Sequence, residues 1–385
     1  MPHTPRVLIY VQHLLGTGHV MRAAAIGRAL TTHGCPVTMV CGNTLPPTLE
    51  TDGLNVISLP PVRARDASFR ELVDENDEAI TDAWKARRRD LLLQVYEDCQ
   101  PDVILTETYP FGRRQMSFEL EPLMETARAR ANPPLIVGSV RDILVPKPDP
   151  RKEEAMAEVA LRYFDLILVH SDADMVRLGD SFRYADRVEH LLTYTGYVYL
   201  AKPADPPADD GKDEVVVSCG GGVGAFHLLD CASKARAHST RASDTRWRLL
   251  AGYHMSEDEF DTLKTAAPDG VIVERARPDF PGLLRRARVS VSQAGYNTTL
   301  DVLAAGVPSV LVPFAQLEES EQTVRATALA EHGRVVYAQD TTLTPQSLAR
   351  AVDDALGMPM KDHPTGMDGA DVSARTVLEA WKKRT

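Results

Sequence analysis

The sequence predicts an α/β protein made of two Rossmann-like, doubly wound parallel-sheet domains. Three observations carry this. Short apolar runs alternate with longer helical patterns along the chain. The apolar runs are near-continuous Val/Ile/Leu, the composition of strands covered on both faces. One stretch without periodicity, "YLAKPADPPADDGKDE" at 199–214, divides the runs into two series. At 385 residues the chain is long for one core, and two domains are its natural division.

The first series places strands at Arg6–Val11, Pro36–Cys41, Asn55–Leu59, Asp102–Thr106, Leu135–Gly138 and Leu166–Val169. Amphipathic stretches such as Ala79–Glu97 and Arg151–Tyr163 read as crossover helices. The second series runs through Glu214–Ser218, Trp247–Ala251, Val271–Glu274, Val289–Ser292, Ser309–Val312 and Val335–Tyr337. Val372–Trp381 reads as a last amphipathic helix. The expected division is residues 1–198, a linker or mobile loop at 199–213, a second domain at 214–367, and a terminal helix at 368–385. Ligands of such sheets sit beyond the carboxyl ends of the strands, so a cleft between two such domains is the default site.

The bulk composition narrows the function. A net charge of −11 lacks the clustered basic excess of a nucleic-acid binder, so no nucleic-acid partner is expected. No run approaches the ~18 apolar residues of a membrane span. The N-terminus enters the first strand with no charged-then-apolar leader, and the five cysteines show no Cys-x-x-Cys pair. Both point to a cytoplasmic chain with free thiols.

Three strand–glycine–helix junctions carry the candidate chemistry. The first is "LLGTGHV", with Gly16 and Gly18. The second is "VVVSCGGGVGAFHLL", in which Gly221, Gly222, Val223 and Gly224 follow a strand and open a helix. Glycine lets a ligand approach the backbone, and a helix N-terminus offers unpaired N–H donors to a phosphate. Neither turn has the dinucleotide pattern with its acidic residue ~20 positions on, and a packing turn is the competing reading of each. The third is "VSVSQAGYNTTLDVLAAGVPSVLVPF". Its strand ends in Gln293-Ala294-Gly295. A helix from about Tyr296 ends at Gly306, a helix C-cap. Asn297 and Thr298 sit in its first turn, where Thr298 can reach a phosphate, and Asp301 can accept from a ribose hydroxyl. Beyond it Glu318, Glu319, Glu321 and Gln322 form either a solvated helix start or a cradle for sugar hydroxyls.

In this order and spacing, the Gly…Asp…Ala-Gly-Val-Pro…Val-Pro-Phe…Glu-Gln series resembles the donor signature of GT-B glycosyltransferases, closest to the family-28, MurG-like group. "GTGHVMRAAAIGRAL" and "GGGVGA" resemble the two glycine loops of the same group. "ETYPFGRRQMSFELEP" and "SVRDILVP" resemble a less characterised bacterial branch. The resemblance implies a nucleotide diphosphate sugar donor, UDP-linked, and a small-molecule or lipid-linked acceptor. It assigns the ribose to Asp301, where the family has Glu. It assigns the uracil edge to the Arg277 backbone, and the donor sugar to Glu321-Gln322, where the family has Gln-Gln. It implies no cofactor and no metal, a last helix that returns to the N-terminal domain, and possible peripheral contact with the inner face of a membrane. The "GHVMR" form also occurs in UDP-sugar hydrolases, and a silent nucleotide-sugar-binding protein is a further alternative.

His19 is then the candidate general base. Transfer needs an acceptor hydroxyl deprotonated as it attacks, and imidazole, with an ordinary pKa of about 6.5, suits that task. Glu107, at the end of a later strand, is its candidate orienting partner, by the logic of a catalytic triad. Asp142, beside Arg141, is the competing base. Tyr109, Phe111, Arg113 and Arg141 are the candidate acceptor contacts.

Overall fold

The computed structural model describes residues 4–14, 17–66, 71–200, 205–207, 209–219, 225–314, 320–359 and 366–384. The chain forms two compact units, Met1–Leu200 together with Gly366–Thr385, and Ala201–Thr365.

In the first unit the elements run β1 (Val7–Val11), α1 (Gly18–Thr32), β2 (Val37–Cys41), β3 (Leu54–Ser58), β4 (Arg63–Ala64), β5 (Leu72–Val73), α2 (Asp82–Cys99), β6 (Val103–Glu107), α3 (Ser117–Arg128), β7 (Leu135–Arg141), α4 (Pro150–Tyr163), β8 (Leu166–His170), α5 (Ala185–Val188) and β9 (Leu192–Tyr194). The strands form one parallel sheet in the order β3-β2-β1-β6-β7-β8-β9, with β4 and β5 as a separate antiparallel ribbon. The order steps outward from β1 on one side and from β6 on the other, so the switch point lies between them. Both faces are covered, which is why β1, β6 and β8 are buried at every position. The ends of α2 and α4 follow from capping: Thr81 Oγ1 accepts from Trp84 N–H, and Asp149 accepts from Arg151 N–H with Pro150 opening the helix.

The second unit contains β10 (Val215–Ser218), α6 (Ala225–Ala235), β11 (Trp247–Ala251), α7 (Glu257–Ala266), β12 (Val271–Arg275), α8 (Phe280–Arg286), β13 (Val289–Ser292), α9 (Tyr296–Ala305), β14 (Ser309–Leu311), α10 (Ser320–Glu331), β15 (Val336–Tyr337) and α11 (Pro345–Gly357). Its sheet is all parallel, in the order β12-β11-β10-β13-β14-β15. The last helix, α12 (Gly369–Lys382), lies on the first unit, where Ala374 and Val377 join the core cluster of α1. The two-unit, doubly wound α/β architecture is the one the alternating runs predict.

Two local differences have physical causes. Residues 209–213 are docked on the second unit rather than free. Asp210 pairs with Arg248 (3.0 Å) and Arg277 (2.6 Å), and Gly211 adopts φ +80° against Leu283. One of the acidic residues that make this stretch read as a linker, Asp210, is a counter-ion for the buried Arg248 and the partly buried Arg277. Strand β9 has only three half-buried residues, too few to register as a run.

Behind the carboxyl ends of β1 and β2 lies a fully buried ion pair, Arg88 Nε to Glu119 Oε2 at 2.8 Å. Arg88 also donates to the carbonyls of Gly42 (3.0 Å) and Pro60 (2.6 Å), and Tyr10 gives its hydroxyl to Glu119. This network ties α2 and α3 to β1 and to the backbone that follows β2. Removing one partner strands the other's charge in the core. Arg88→Ala is therefore expected to destabilise the first unit by about 3–5 kcal/mol. Urea unfolding followed by the fluorescence of Trp84, whose ring lies 5.4 Å from the guanidinium, measures it. A loss under about 1 kcal/mol, the scale of an exposed pair, would contradict it.

Candidate active site

The site is built on the carboxyl ends of the first unit's central strands. Helix α1 starts at Gly18, and among the described residues no heavy atom lies within 4 Å of where a Gly18 Cβ would stand. His19 follows in the first turn, its side chain one-fifth exposed. Its Nδ1 lies 2.9 Å from Glu107 Oε1 at the end of β6. Among the described residues Nε2 has no hydrogen-bond partner.

Glu107 is almost fully buried. Arg22, one helical turn beyond His19, donates Nη2 to Oε1 and Nε to Oε2 (3.3 Å). Thr108 Oγ1 donates to Oε1 (3.1 Å) and Ser139 Oγ, from β7, to Oε2 (2.6 Å). Behind Ser139 stands His170, the last residue of β8, with Nε2 at 2.8 Å from Ser139 Oγ and Nδ1 at 2.8 Å from Thr195 Oγ1. Since Ser139 spends its proton on Glu107, its oxygen accepts from His170 Nε2–H, which assigns that tautomer from the network. The donors therefore run inward from Thr195 through His170 and Ser139 to one carboxylate.

The electrostatics follow from this arrangement. Burial pushes the Glu107 carboxyl up, but Arg22 and His19 outweigh it and hold the group well below the usual carboxylate range. Burial lowers the His19 imidazole to about 4 despite Glu107, with Arg22 and Arg113 pushing the same way. Burial and the charge of Arg22 lower His170 to about 3. His19 is thus neutral at physiological pH. With Nδ1–H donated to Glu107, its Nε2 lone pair is open to take a proton.

The other sequence candidates fall into three groups. Asp142, the competing base candidate, is fully buried, and its Oδ1 accepts from Ile143 N–H (2.9 Å). Tyr109 and Phe111, expected to meet an acceptor, are corrected to core residues. They are 3% and 4% exposed, with rings packed 6.2 Å from Phe164 and 5.2 Å from Phe182. Aromatic rings in a short loop bury more area inward than they could cover outward. Arg113 is partly buried: its Nε donates to Gln12 O (2.7 Å), its φ is +60°, and burial lowers it to about 10. Arg141 is half-buried at the end of β7, in register with His170.

In the second unit, Gly295 caps the N-terminus of α9 (φ −62°, ψ 146°), and among the described residues nothing lies within 4 Å of a Cβ built there. Asn297 is exposed, while Thr298 and Asp301 are half-buried, one turn apart on α9. Gln293 and Ala294 are buried, and Gln293 N–H bonds Ser218 O (3.2 Å), tying β13 to β10. Arg325, itself buried, donates to Ala294 O (2.9 Å) and to Glu321 (2.9 Å), while Gln322 accepts from Phe314 N–H (3.1 Å). Glu321 and Gln322 thus brace the start of α10 against the third junction. The Arg277 side chain is held by Asp279, Asp210 and Glu274, and its backbone position follows β12. Gly16, Gly221, Gly222, Val223, Gly224, Glu318 and Glu319 lie outside the described residues. Among the described residues no group of His, Cys, Asp and Glu is placed to hold a metal ion, and no helix is long and apolar enough to cross a membrane.

Arg22, Thr108, Ser139 and His170 were not singled out from the sequence. Their signal is visible in retrospect. Arg22 stands three residues after His19 on one helix face. Ser139 and His170 are polar residues near the ends of otherwise apolar strands.

Two units in one chain, each built on a doubly wound parallel sheet with polar residues at its strand ends, have the architecture of the GT-B fold. Residues 215–376 match the family model described as the glycosyltransferase family 28 C-terminal domain. The fold of the chain is that of the GT-B class, and its second unit is similar to the C-terminal domain of glycosyltransferase family 28. The chain is 30% identical over 162 residues to a UDP-N-acetylglucosamine–N-acetylmuramyl-(pentapeptide) pyrophosphoryl-undecaprenol N-acetylglucosamine transferase of Phenylobacterium zucineum, covering 41% of this chain and 44% of that protein. It is 23% identical over 307 residues to the NDP-glycosyltransferase YjiC of Bacillus licheniformis, covering 74% of this chain and 73% of that one. The first of these relatives is thus matched over less than half its length. The crystal structure of MurG from Acinetobacter baumannii superposes with a TM-score of 0.59 at 16% identity, over 98% of this chain and 100% of that one.

One consequence concerns stability. The unfolded chain protonates His19 and His170 near pH ~6.5, while the folded chain holds them neutral to about 4 and about 3. Their share of stability is complete above pH ~6.5 and is lost as pH falls through that window. Thermal unfolding is expected at a lower temperature at pH 5 than at pH 7, with a smaller difference in His19→Ala. Equal midpoints at the two pH values would contradict it.

Proposed function

We propose that the protein is an inverting, metal-independent glycosyltransferase that moves a sugar from a nucleotide diphosphate sugar, UDP-linked, to an acceptor hydroxyl. The observation that carries the reading is the 2.9 Å contact of His19 Nδ1 with a buried Glu107, which leaves Nε2 as an open base. In the reaction the acceptor O–H gives its proton to His19 Nε2 as its oxygen bonds the anomeric carbon. The carbon–oxygen bond to the diphosphate breaks, and the nucleotide leaves with the electron pair. Attack opposite the leaving group in one displacement inverts the anomeric centre. The leaving diphosphate calls for donors, and the open N-terminus of α9, with Gly295, Asn297 and Thr298, supplies N–H groups and hydroxyls of that kind. Asp301 is assigned to the ribose, and Arg113 and Arg141 to an anionic part of the acceptor. The UDP-dependent name of the Phenylobacterium relative and the NDP-dependent name of YjiC support a nucleotide-sugar donor.

Nucleotide release from UDP-, TDP- and GDP-sugars, with and without small-molecule and lipid extracts, tests the reading. One donor is expected to be turned over faster with an acceptor present, equally with or without a chelator. His19→Ala is expected to lose about 10²–10⁴-fold. Fast release that no extract accelerates would indicate hydrolysis, and full activity in His19→Ala would remove the base.

Gly295→Ala separates ligand approach from folding. Its backbone angles suit alanine, and no described residue lies within 4 Å of the added Cβ. Unchanged thermal stability with at least a tenfold weaker UDP affinity by calorimetry is expected. Unchanged affinity would place the diphosphate elsewhere.

A further inference from the structure

We propose that Arg22 is a positioning residue that keeps His19 uncharged: it is the resident counter-ion of Glu107, so the carboxylate orients the imidazole without protonating it. The consequence for the reaction rests on His19 being the base; the effect on the imidazole itself does not.

A buried carboxylate is stable as an anion only with a positive partner beside it. Two groups reach Glu107 with a charge to offer. His19 can supply one only by becoming an imidazolium, with Nε2 already protonated and useless as a base. Arg22 carries its charge permanently. It is 4% exposed and grips both carboxylate oxygens, through Nη2 to Oε1 and Nε to Oε2. The same Nη2 lies 3.1 Å from His19 Nδ1. With the Nδ1 proton directed at Glu107, that proximity sets a fixed cation beside the ring and opposes any second proton on it. Thr108 and Ser139 add hydrogen bonds to Glu107 but no charge.

The groups around the ring agree in sign. Arg22 faces it from α1 and Glu107 from β6. Arg113, from the loop before α3, adds positive charge, and Arg141, from β7, acts on Arg113. His170, from β8, stands behind Ser139 and is neutral. Glu107 is thus the negative group among these, and Arg22 is the cation that neutralises it at contact.

The test is direct titration of the His19 ring by NMR in the full-length, histidine-labelled protein, the signal assigned by its loss in His19→Gln. Wild type is expected to show no titration of His19 between pH 5.5 and 8.5. In Arg22→Gln the buried carboxylate draws a proton onto His19, and the midpoint rises into that range, toward ~6.5 or above. Arg22→Lys, which keeps the charge, restores the silent ring. Arg22→Met, which keeps the stem, serves in the same way if the glutamine variant does not fold. In Arg22→Gln/Glu107→Gln the ring falls silent again, because no carboxylate remains to be neutralised. Where turnover is measurable, the acid limb of kcat/KM moves up in Arg22→Gln by the same shift as the ring. A ring that stays silent in the charge-deleting variants overturns the proposal, and so does a double variant that titrates like the single one. Should His19→Ala retain full transfer activity, the base reading fails while the titration result for Arg22 stands.

Discussion

The first unit's site depends on one buried anion. The Glu107 carboxylate ends the central strand β6, and donors from α1, β7 and the residue after β6 converge on it. A carboxylate taken out of water is tolerated only with such company. Each donor is fixed in turn: Arg22 and His19 by the same helix face, and Ser139 by His170 and Thr195 behind it. The orientation of His19 follows from this convergence. Its Nδ1 is claimed by Glu107, which leaves Nε2 as the other ring nitrogen.

The two units share one device at their sheet edges. In each, a parallel sheet brings backbone and polar side chains to its carboxyl edge, and a glycine opens a helix there. Among the described residues, nothing lies within 4 Å of where a side chain would stand at Gly18 and Gly295. Each unit also carries a buried arginine network: Arg88 with Glu119 in the first, and Arg325 bridging Ala294 to Glu321 in the second. The surroundings of each opening are held so that little needs to reorganise when a ligand arrives.

Much of the fold was legible in the sequence because buried parallel strands write unbroken apolar runs. The twelve runs read as strands each correspond to an observed strand within a few residues, and Gly306 ends α9 at φ +65°, as a C-cap glycine should. The His19–Glu107 contact was legible for a different reason: both residues sit at strand–helix junctions, where such sheets gather their chemistry. What the sequence hid was direction. Nothing in "YPFGRR" tells whether its rings turn inward, and they do. Nothing in "KPADPPADD" says that Asp210 finds Arg248 and Arg277. Arg22, Ser139 and His170 were hidden because their role exists only through Glu107, 85, 32 and 63 residues away in the chain.

The central claim is that a buried, anionic Glu107 holds a neutral His19 ready to accept the acceptor's proton. The most direct measurement is steady-state transfer by Glu107→Gln, which keeps the side chain's shape and removes its charge, with circular dichroism as a check on folding. The account predicts a kcat lower by about 10²–10⁴-fold, with donor KM little changed, because the orientation and tautomer of the ring are lost while donor contacts remain. A folded Glu107→Gln protein that transfers sugar within twofold of wild type would contradict it.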